Sequence, residues 1–242
     1  MPSPTAWEMA AKMRIGPMSR AIGLCIVLAP LSRTIAVPLP SQVPARWELR
    51  FRFVDPERIT VKLPTESEPR TFWYVLYTVE NDSGQTVQFL PSFELVTDTR
   101  QVVPAQIGVH PAVYNAIKHR HRKTHPFLTE PVRMLGPMLH GEDHARDSVA
   151  IWPQFDASAS SFVIYVGGLS GETTRIPNPL FDAEKPEVAL QKLPDGSSLE
   201  KVVNPKQFTL RKTLVLEYKL PGTRATRMYA KPQRQPHRWT MR

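Results

Sequence analysis

The chain has 242 residues, and its 31 lysines and arginines against 22 aspartates and glutamates give a formal net charge of +9 at pH 7. Its hydrophobic content of 41% and charged content of 22% are ordinary for a globular protein, which excludes wholesale disorder. The 25 prolines are roughly twice the usual share of about 5%, and they favour strand ends and turns over long helices because proline lacks a backbone donor.

Residues 1–36 follow the pattern of a secretory signal peptide. Basic residues precede an apolar run over 21–31, and a short polar stretch then ends at Ala36. The run of about 11 residues is shorter than the ~20 that a membrane-spanning helix requires. We therefore predict a cleaved signal with an upstream start extension, and no membrane span in the mature chain. An uncleaved N-terminal anchor is the alternative.

The only cysteine, Cys25, lies inside that apolar run. A mature chain beginning after residue 36 would contain no cysteine, which excludes disulfide bonds, thiol nucleophiles and cysteine-ligated zinc. Such a chain remains basic, and a basic protein in the periplasm, the cell envelope or the extracellular space encounters acidic polymers and acidic proteins. We expect an envelope protein or an acidic polymer as partner, and no sequence-specific recognition of nucleic acid.

Strand patterns follow a Pro-rich linker over 37–46. Apolar and charged residues alternate from Trp47 to Phe53 and again over 59–63, which predicts two strands with one buried face each. Residues 71–80 are rich in aromatic and β-branched side chains on both faces, which predicts a central strand buried on both sides. We therefore assign the aromatic side chains of this strand to the core rather than to a sugar-binding platform.

The turn cluster Asn81–Gly84 follows that strand, and Gly84 can adopt a positive φ without steric cost. The β pattern resumes over 85–97 with an interruption at Pro91, which indicates a bulge or an edge. The two strands and the turn are predicted to form a β-hairpin.

The remaining chain predicts one short helix over 111–122, with proline at its first turn and apolar residues on one face. Further strands are predicted over 132–139, 148–152, 161–169 and 207–220, with an irregular insertion at 172–206 and a last strand with a basic tail after 223. The total of about eight or nine short strands and one helix predicts an all-β fold. We expect a single domain over 47–242, an antiparallel immunoglobulin-like sandwich.

Histidines are concentrated in one part of the chain. The spacing of His119, His121 and His125, followed by His140 and His144, is compatible with a metal site because imidazoles one helical turn apart can share an ion. The adjacent lysines and arginines argue against it, since fixed positive charges repel a divalent cation. A histidine-rich metal-binding protein, including a metal-dependent hydrolase, is thus the alternative to a module without metal.

The same segment contains four full positive charges, on Lys118, Arg120, Arg122 and Lys123. Such a run can bind phosphate-bearing or uronic-acid polymers, although it can equally be a solvated surface or a helix end favoured by the dipole. Both interpretations stay open at this point.

Enzyme motifs are not recognised. The glycine spacing in Gly168–Gly171 differs from that of a nucleophile elbow, and the chain has no phosphate loop or dinucleotide fingerprint. The sequence therefore favours an exported, non-enzymatic binding or structural module with no cofactor.

Several segments resemble one family. The segments that carry this resemblance are Val166–Glu172, Ile176–Pro179, Leu210–Leu214 and Arg238–Arg242. Through them the chain is similar to an uncharacterised family of exported immunoglobulin-like β-sandwich proteins from planctomycete-type bacteria. The resemblance extends from about Arg46 to the C-terminus. It implies export and a bacterial context, and it transfers no site residues.

Overall fold

The computed structural model describes residues 38–64, 66–192 and 198–242, so the predicted signal peptide lies outside the described residues. These ranges are mostly antiparallel β, as the composition and patterns predict. The strands are β1 (Arg50–Phe53), β2 (Glu57–Val61), β3 (Arg70–Glu80), β4 (Val87–Phe89), β5 (Ser92–Thr97), β6 (Val102–Pro104), β7 (Gly136–Met138), β8 (Arg146–Pro153), β9 (Ser161–Gly167), β10 (Thr173–Pro177), β11 (Val188–Lys192), β12 (Ser198–Val202), β13 (Gln207–Lys219), β14 (Gln233–Arg234) and β15 (Arg238–Met241). The helical segments are α1 (Pro111–Arg120) and three 3-10 turns, Pro131–Met134, Glu142–His144 and Arg227–Tyr229.

The first sheet is built around β3. β8 pairs with one edge of β3, while β1 and β2 pair in succession with the other edge. The register changes by one residue between them, because Phe53 is opposite Tyr77 whereas Glu57 is opposite Tyr74. The intervening segment contains Pro56, which has no donor for the ladder. β1 and β2 are thus one edge strand with a bulge.

The second sheet has the order β10-β13-β9-β5-β6, and β14 and β15 pair with β13. Its inner face packs on that of the first sheet in one apolar core, to which β3 contributes Trp73, Val75 and Tyr77. Trp73 stacks on Phe155 at 5.1 Å between ring centres and meets Phe162 edge-on at 5.7 Å. The two sheets therefore form a sandwich, and these contacts hold its layers together.

A second core lies on the outer face of the first sheet. Phe72, Tyr74 and Leu76 point to this side and are covered by the fully buried Val113 and Ile117 of α1. The structure confirms the sequence-based assignment of both faces of this strand to the core. In the described part of the chain, no helix has both the length and the apolar character that crossing a membrane requires.

The predicted hairpin between residues 71–80 and 85–97 is wrong. β4 pairs with β7 and β5 belongs to the second sheet, so the chain leaves the first sheet at the turn. Gly84 has the expected positive φ of 79°. The buried side chain of Asn81 directs the departure, because its Nδ2 donates to the carbonyls of Gln85 and Met138 at 2.7 and 2.8 Å. The contact with Met138 is non-local and cannot be read from the turn residues.

Two other predictions need correction. The described residues contain fifteen strands rather than eight or nine, because bulges divide long strands and several two- or three-residue ladders have weak patterns. The segment 172–206, predicted as irregular, contains β10 and the antiparallel pair β11–β12. The alternation in this segment is short and interrupted by prolines, which concealed these strands.

A buried lysine connects distant parts of the domain. The Nζ atom of Lys212 lies 2.8 Å from a carboxylate oxygen of Glu48 and 3.7 Å from one of Glu172, and only 2% of the Lys212 side chain is exposed. The ammonium group also donates to the carbonyl of Ser41 at 3.0 Å and lies 4.9 Å from the ring centre of Trp239. Ser41 belongs to the predicted Pro-rich linker, which is therefore fixed to β13.

We predict that Lys212→Met lowers the free energy of unfolding by about 3–5 kcal/mol, because it leaves two carboxylates with no buried counter-charge. Urea unfolding at pH 7 measures the change. The control is Lys219→Met at the exposed end of β13, which should cost less than about 0.5 kcal/mol. Equal losses in the two variants would contradict the prediction.

Candidate functional site

The C-terminal end of α1 rests on the edge of the first sheet. Arg120 donates from Nη1 to the carbonyl of Arg58 in β2 at 2.9 Å and to the hydroxyl of Tyr74 at 3.3 Å. His121 follows as the C-cap residue, and its Nε2 lies 2.9 Å from the same hydroxyl. Polar contacts thus fix the helix end over β2, next to the apolar contacts that hold the helix itself.

The Tyr74 hydroxyl connects these groups. It donates to the Oε2 of Glu57 at 2.7 Å, so it accepts from Arg120 and from His121, whose Nε2 therefore carries the proton. Burial raises the pKa of Tyr74 well above its ordinary value, and the hydrogen bond to Glu57 raises it further. The hydroxyl consequently remains a donor at physiological pH and serves as a structural link.

The four cations predicted as a polyanion site have different surroundings. Arg120 touches β2, as described, whereas the Lys118 ammonium lies over the ring of Tyr114, 5.8 Å from its centre. Arg122 donates to the Nε2 of His119 at 2.9 Å, and Lys123 is exposed. Arg120 is thus the one of these four whose side chain contacts β2 in the described residues, and Arg122 and Lys123 follow it in the chain at the exposed helix end.

The basic C-terminal segment, which follows residue 223, contacts β2 through Arg58. The guanidinium of Arg58 lies 5.0 Å from the ring centre of Trp73 and donates to the carbonyl of Ala230 at 3.2 Å. Burial lowers the pKa of Arg58, and the nearby Tyr229 opposes this shift. Two basic segments that are far apart in sequence therefore converge on one residue of the edge strand. Sequence reasoning missed Arg58 because the contacts are non-local.

A groove lies between the bulge of the edge strand and the C-terminal segment. It encloses about 620 Å³, and its lining includes three cations and two carboxylates, namely Arg58, Lys231, Arg234, Asp55 and Glu57. Asp55 already accepts hydrogen bonds from Arg234 and, at 3.3 Å, from the hydroxyl of Tyr218. Because the three cations outnumber the two carboxylates, the groove has a small positive balance.

A second depression of about 380 Å³ adjoins the groove. Arg58 and Tyr229 line both of them, and the other lining residues of the second are Thr60, Arg70, Thr71 and Gln154. Hydroxyl and amide groups, together with the guanidinium of Arg70, therefore line the depression that adjoins the cationic groove. The Tyr229 side chain between the two is 78% exposed.

The five candidate histidines do not share one site. His121 and His125 are neighbours, with ring centres 6.0 Å apart, and His119 lies at the same helix end. His140 instead accepts from the backbone N–H of Gly84, beyond the opposite end of β3, and His144 lies in the 3-10 turn that follows. Tyr74 and Asn81 are seven residues apart on an extended chain, which corresponds to roughly 23 Å.

Across the described ranges no group of three or more potential ligands is placed to hold a metal ion. The metal-binding alternative therefore lacks the convergence of histidines on which it depended, because His121 contacts Tyr74 whereas His140 contacts Gly84 in the turn beyond β3.

An apolar cleft of about 510 Å³ lies beside the N-terminal end of α1. Several of its polar groups are engaged in structural contacts: Gln106 donates to the carbonyl of Val149 at 3.0 Å, and His110 caps the helix through Nδ1. Glu130, which also lines it, lies 3.7 Å from Arg133. The cleft thus offers apolar contact with few groups that could orient a ligand, and the basic groove is the better candidate site.

Comparison with protein-family models, with curated proteins and with solved structures finds no match. The resemblance to an exported bacterial family therefore remains a prediction from the sequence.

We predict that His121 makes stability depend on pH. Burial lowers the pKa of His121, Glu57 opposes the shift, and His125 and Arg120 add to it. The imidazole of His121 therefore binds a proton less readily in the folded protein than in the unfolded chain. Its contribution to the free energy of unfolding is present above the unfolded pKa of about 6.5 and is lost as pH falls below that value.

Urea unfolding of the parent and of His121→Gln at pH 7.5 and 5.5 measures this effect, and the variant should lose less stability on acidification. His119→Gln removes an exposed imidazole from the same helix end and should behave like the parent. An unchanged pH dependence in His121→Gln would show that other groups cause it.

We also predict that excess zinc does not stabilise the protein. A site on the folded state saturated a hundredfold above its dissociation constant would add about 2.7 kcal/mol, which a thermal melt resolves. The melt is recorded with zinc, without zinc and after chelation. A rise in melting temperature that is lost in His121→Gln would restore the metal interpretation at the helix end.

Proposed function

We propose that the chain is an exported, non-enzymatic binding module of the periplasm or cell envelope, an immunoglobulin-like β-sandwich with an acidic polymer as its partner. The observation that supports this function is that the basic end of α1 and the basic C-terminal segment both contact Arg58 on the edge strand. We name this region the basic surface. It consists of Arg58, Arg120, Lys231 and Arg234, and we include Arg122 and Lys123 because they directly follow the helix end that Arg120 fixes to β2.

The charge balance of the basic surface favours an anionic partner. Its six cations outnumber the two neighbouring carboxylates, Asp55 and Glu57, which are paired with Arg234 and Tyr74. At physiological salt, where the Debye length is about 8 Å, only charges close to a partner contribute strongly. Cations gathered on one surface therefore attract a polymer with closely spaced negative charges better than the same number dispersed over the protein.

The contacts around the site support a binding role rather than catalysis. Glu57, Tyr74 and His121 form a connected set of titratable groups, but the Tyr74 hydroxyl at its centre is buried beneath the helix end. A general acid or base must reach the proton that it transfers. These side chains hold α1 on the sheet and position Arg120.

We predict that the full chain binds dextran sulfate but not uncharged dextran, with an affinity that falls as salt rises from 50 to 300 mM. The double variant Lys123→Glu/Lys231→Glu should weaken binding at least about tenfold, because each reversal replaces attraction by repulsion of on the order of 1 kcal/mol. Both lysines are exposed, so the fold should be unaffected. Isothermal titration calorimetry measures the affinities.

The control is Lys201→Glu/Lys206→Glu, which makes the same change in net charge at exposed positions that line neither depression. It should weaken binding less than about threefold. A loss as large as that of the first double variant would show that overall charge, not the basic surface, governs binding.

A further inference from the structure

We propose that the groove and the adjoining depression bind an acidic polysaccharide, with the Tyr229 ring against a sugar ring and Arg58 and Lys231 against its carboxylates. This inference rests on the proposed polyanion-binding function and specifies the polymer. It depends on the kinds of chemical group that line the groove and the adjoining depression, which charge alone does not explain.

The first argument is the continuity of the two depressions. Their volumes are about 620 and 380 Å³, and Arg58 and Tyr229 belong to the lining of both. Two adjoining depressions match a linear polymer that presents more than one monomer, whereas a single small anion would need only one of them. The two shared residues lie where successive monomers would meet.

The second argument is the polar lining of the smaller depression. Thr60 and Thr71 are linked through their hydroxyls at 3.1 Å, and the amide of Gln154 accepts from the Trp73 indole at 3.1 Å. Hydroxyl and amide groups can both donate and accept, as binding of sugar hydroxyls requires. A partner that consists only of phosphate groups offers acceptors alone and leaves the acceptor capacity of this lining unused.

The third argument concerns the two carboxylates of the groove. Asp55 uses its Oδ1 for Arg234 and Tyr218, and Glu57 uses its Oε2 for Tyr74, so within the described residues Oδ2 and Oε1 have no hydrogen-bond partner. Such oxygens accept hydrogen bonds from sugar hydroxyls and repel densely charged phosphates. They therefore favour a polymer in which hydroxyls separate the negative charges.

The fourth argument is the exposed tyrosine. Tyr229 is 78% exposed although its backbone is fixed in a 3-10 turn by the bond from its N–H to the carbonyl of Thr226 at 3.0 Å. An aromatic ring supplies a large, rigid contact area at a low cost in side-chain entropy. The planar guanidinium of Arg58, held against Trp73 and Ala230, lies beside it and can bind a carboxylate with two parallel hydrogen bonds.

The test compares three polymers of matched length by isothermal titration calorimetry with the full chain at 150 mM salt. Oligogalacturonate carries carboxylates and hydroxyls, its methyl ester carries hydroxyls without charge, and polyphosphate carries charge without hydroxyls. We expect oligogalacturonate to bind at least tenfold more tightly than either of the other two. Tyr229→Ala should weaken oligogalacturonate binding at least about fivefold and leave polyphosphate binding unchanged.

The matched control is Phe127→Ala, which removes an aromatic ring that is 85% exposed and lines neither depression, and it should leave both affinities unchanged. Polyphosphate binding as tight as that of oligogalacturonate, or equal effects of Tyr229→Ala on both, would overturn the polysaccharide inference while the polyanion function stands. Tight binding of the methyl ester would overturn it as well. If neither charged polymer binds, the proposed function itself fails.

Discussion

The central strand β3 determines the architecture because both of its faces are apolar. Phe72 and Trp73 are successive residues that point to opposite sides, and each is at most 1% exposed. Burying a large apolar side chain contributes roughly 1.5–3 kcal/mol, so neither face can remain in water without a substantial loss. The inner face requires the second sheet, and the outer face requires α1. The sandwich with one helical layer is thus a consequence of this strand.

The position of the basic surface follows from the same constraint. Val113 and Ile117 hold α1 against the outer face, and the length of the helix then brings its last turn to the edge strand. Arg120 can reach β2 only because these two apolar residues fix the axis of the helix above it. The charged contacts at the helix end are weak individually, being partly exposed, but they act on a helix that is already in place.

Periodicity in the sequence predicted those elements of the fold whose burial depends on neighbouring residues. The double burial of residues 71–80 and the helix beginning at Pro111 followed from periodicity, and the structure contains both. The prediction of a hairpin was wrong because the path of the chain after β3 depends on the hydrogen bond from Asn81 to the carbonyl of Met138, which is 57 residues away. The candidate site depended on non-local contacts in the same way, since Arg58 meets the basic tail across 172 residues of sequence. Periodicity carries no information about such pairs.

The charged residues on β1 and β2 hinder pairing of this open sheet edge with another strand, but this role does not explain every feature of the surface beside it. The edge of the first sheet at β8 is covered by Gln106, whose N–H donates to the carbonyl of Ile151 at 2.8 Å, whereas the opposite edge is lined by arginines. Charged side chains along an open edge hinder pairing with another sheet, and for that purpose alternating exposed arginines suffice. Edge protection does not require an exposed tyrosine between two depressions or hydroxyl groups following the cations. These features are the ones on which the proposed binding function rests.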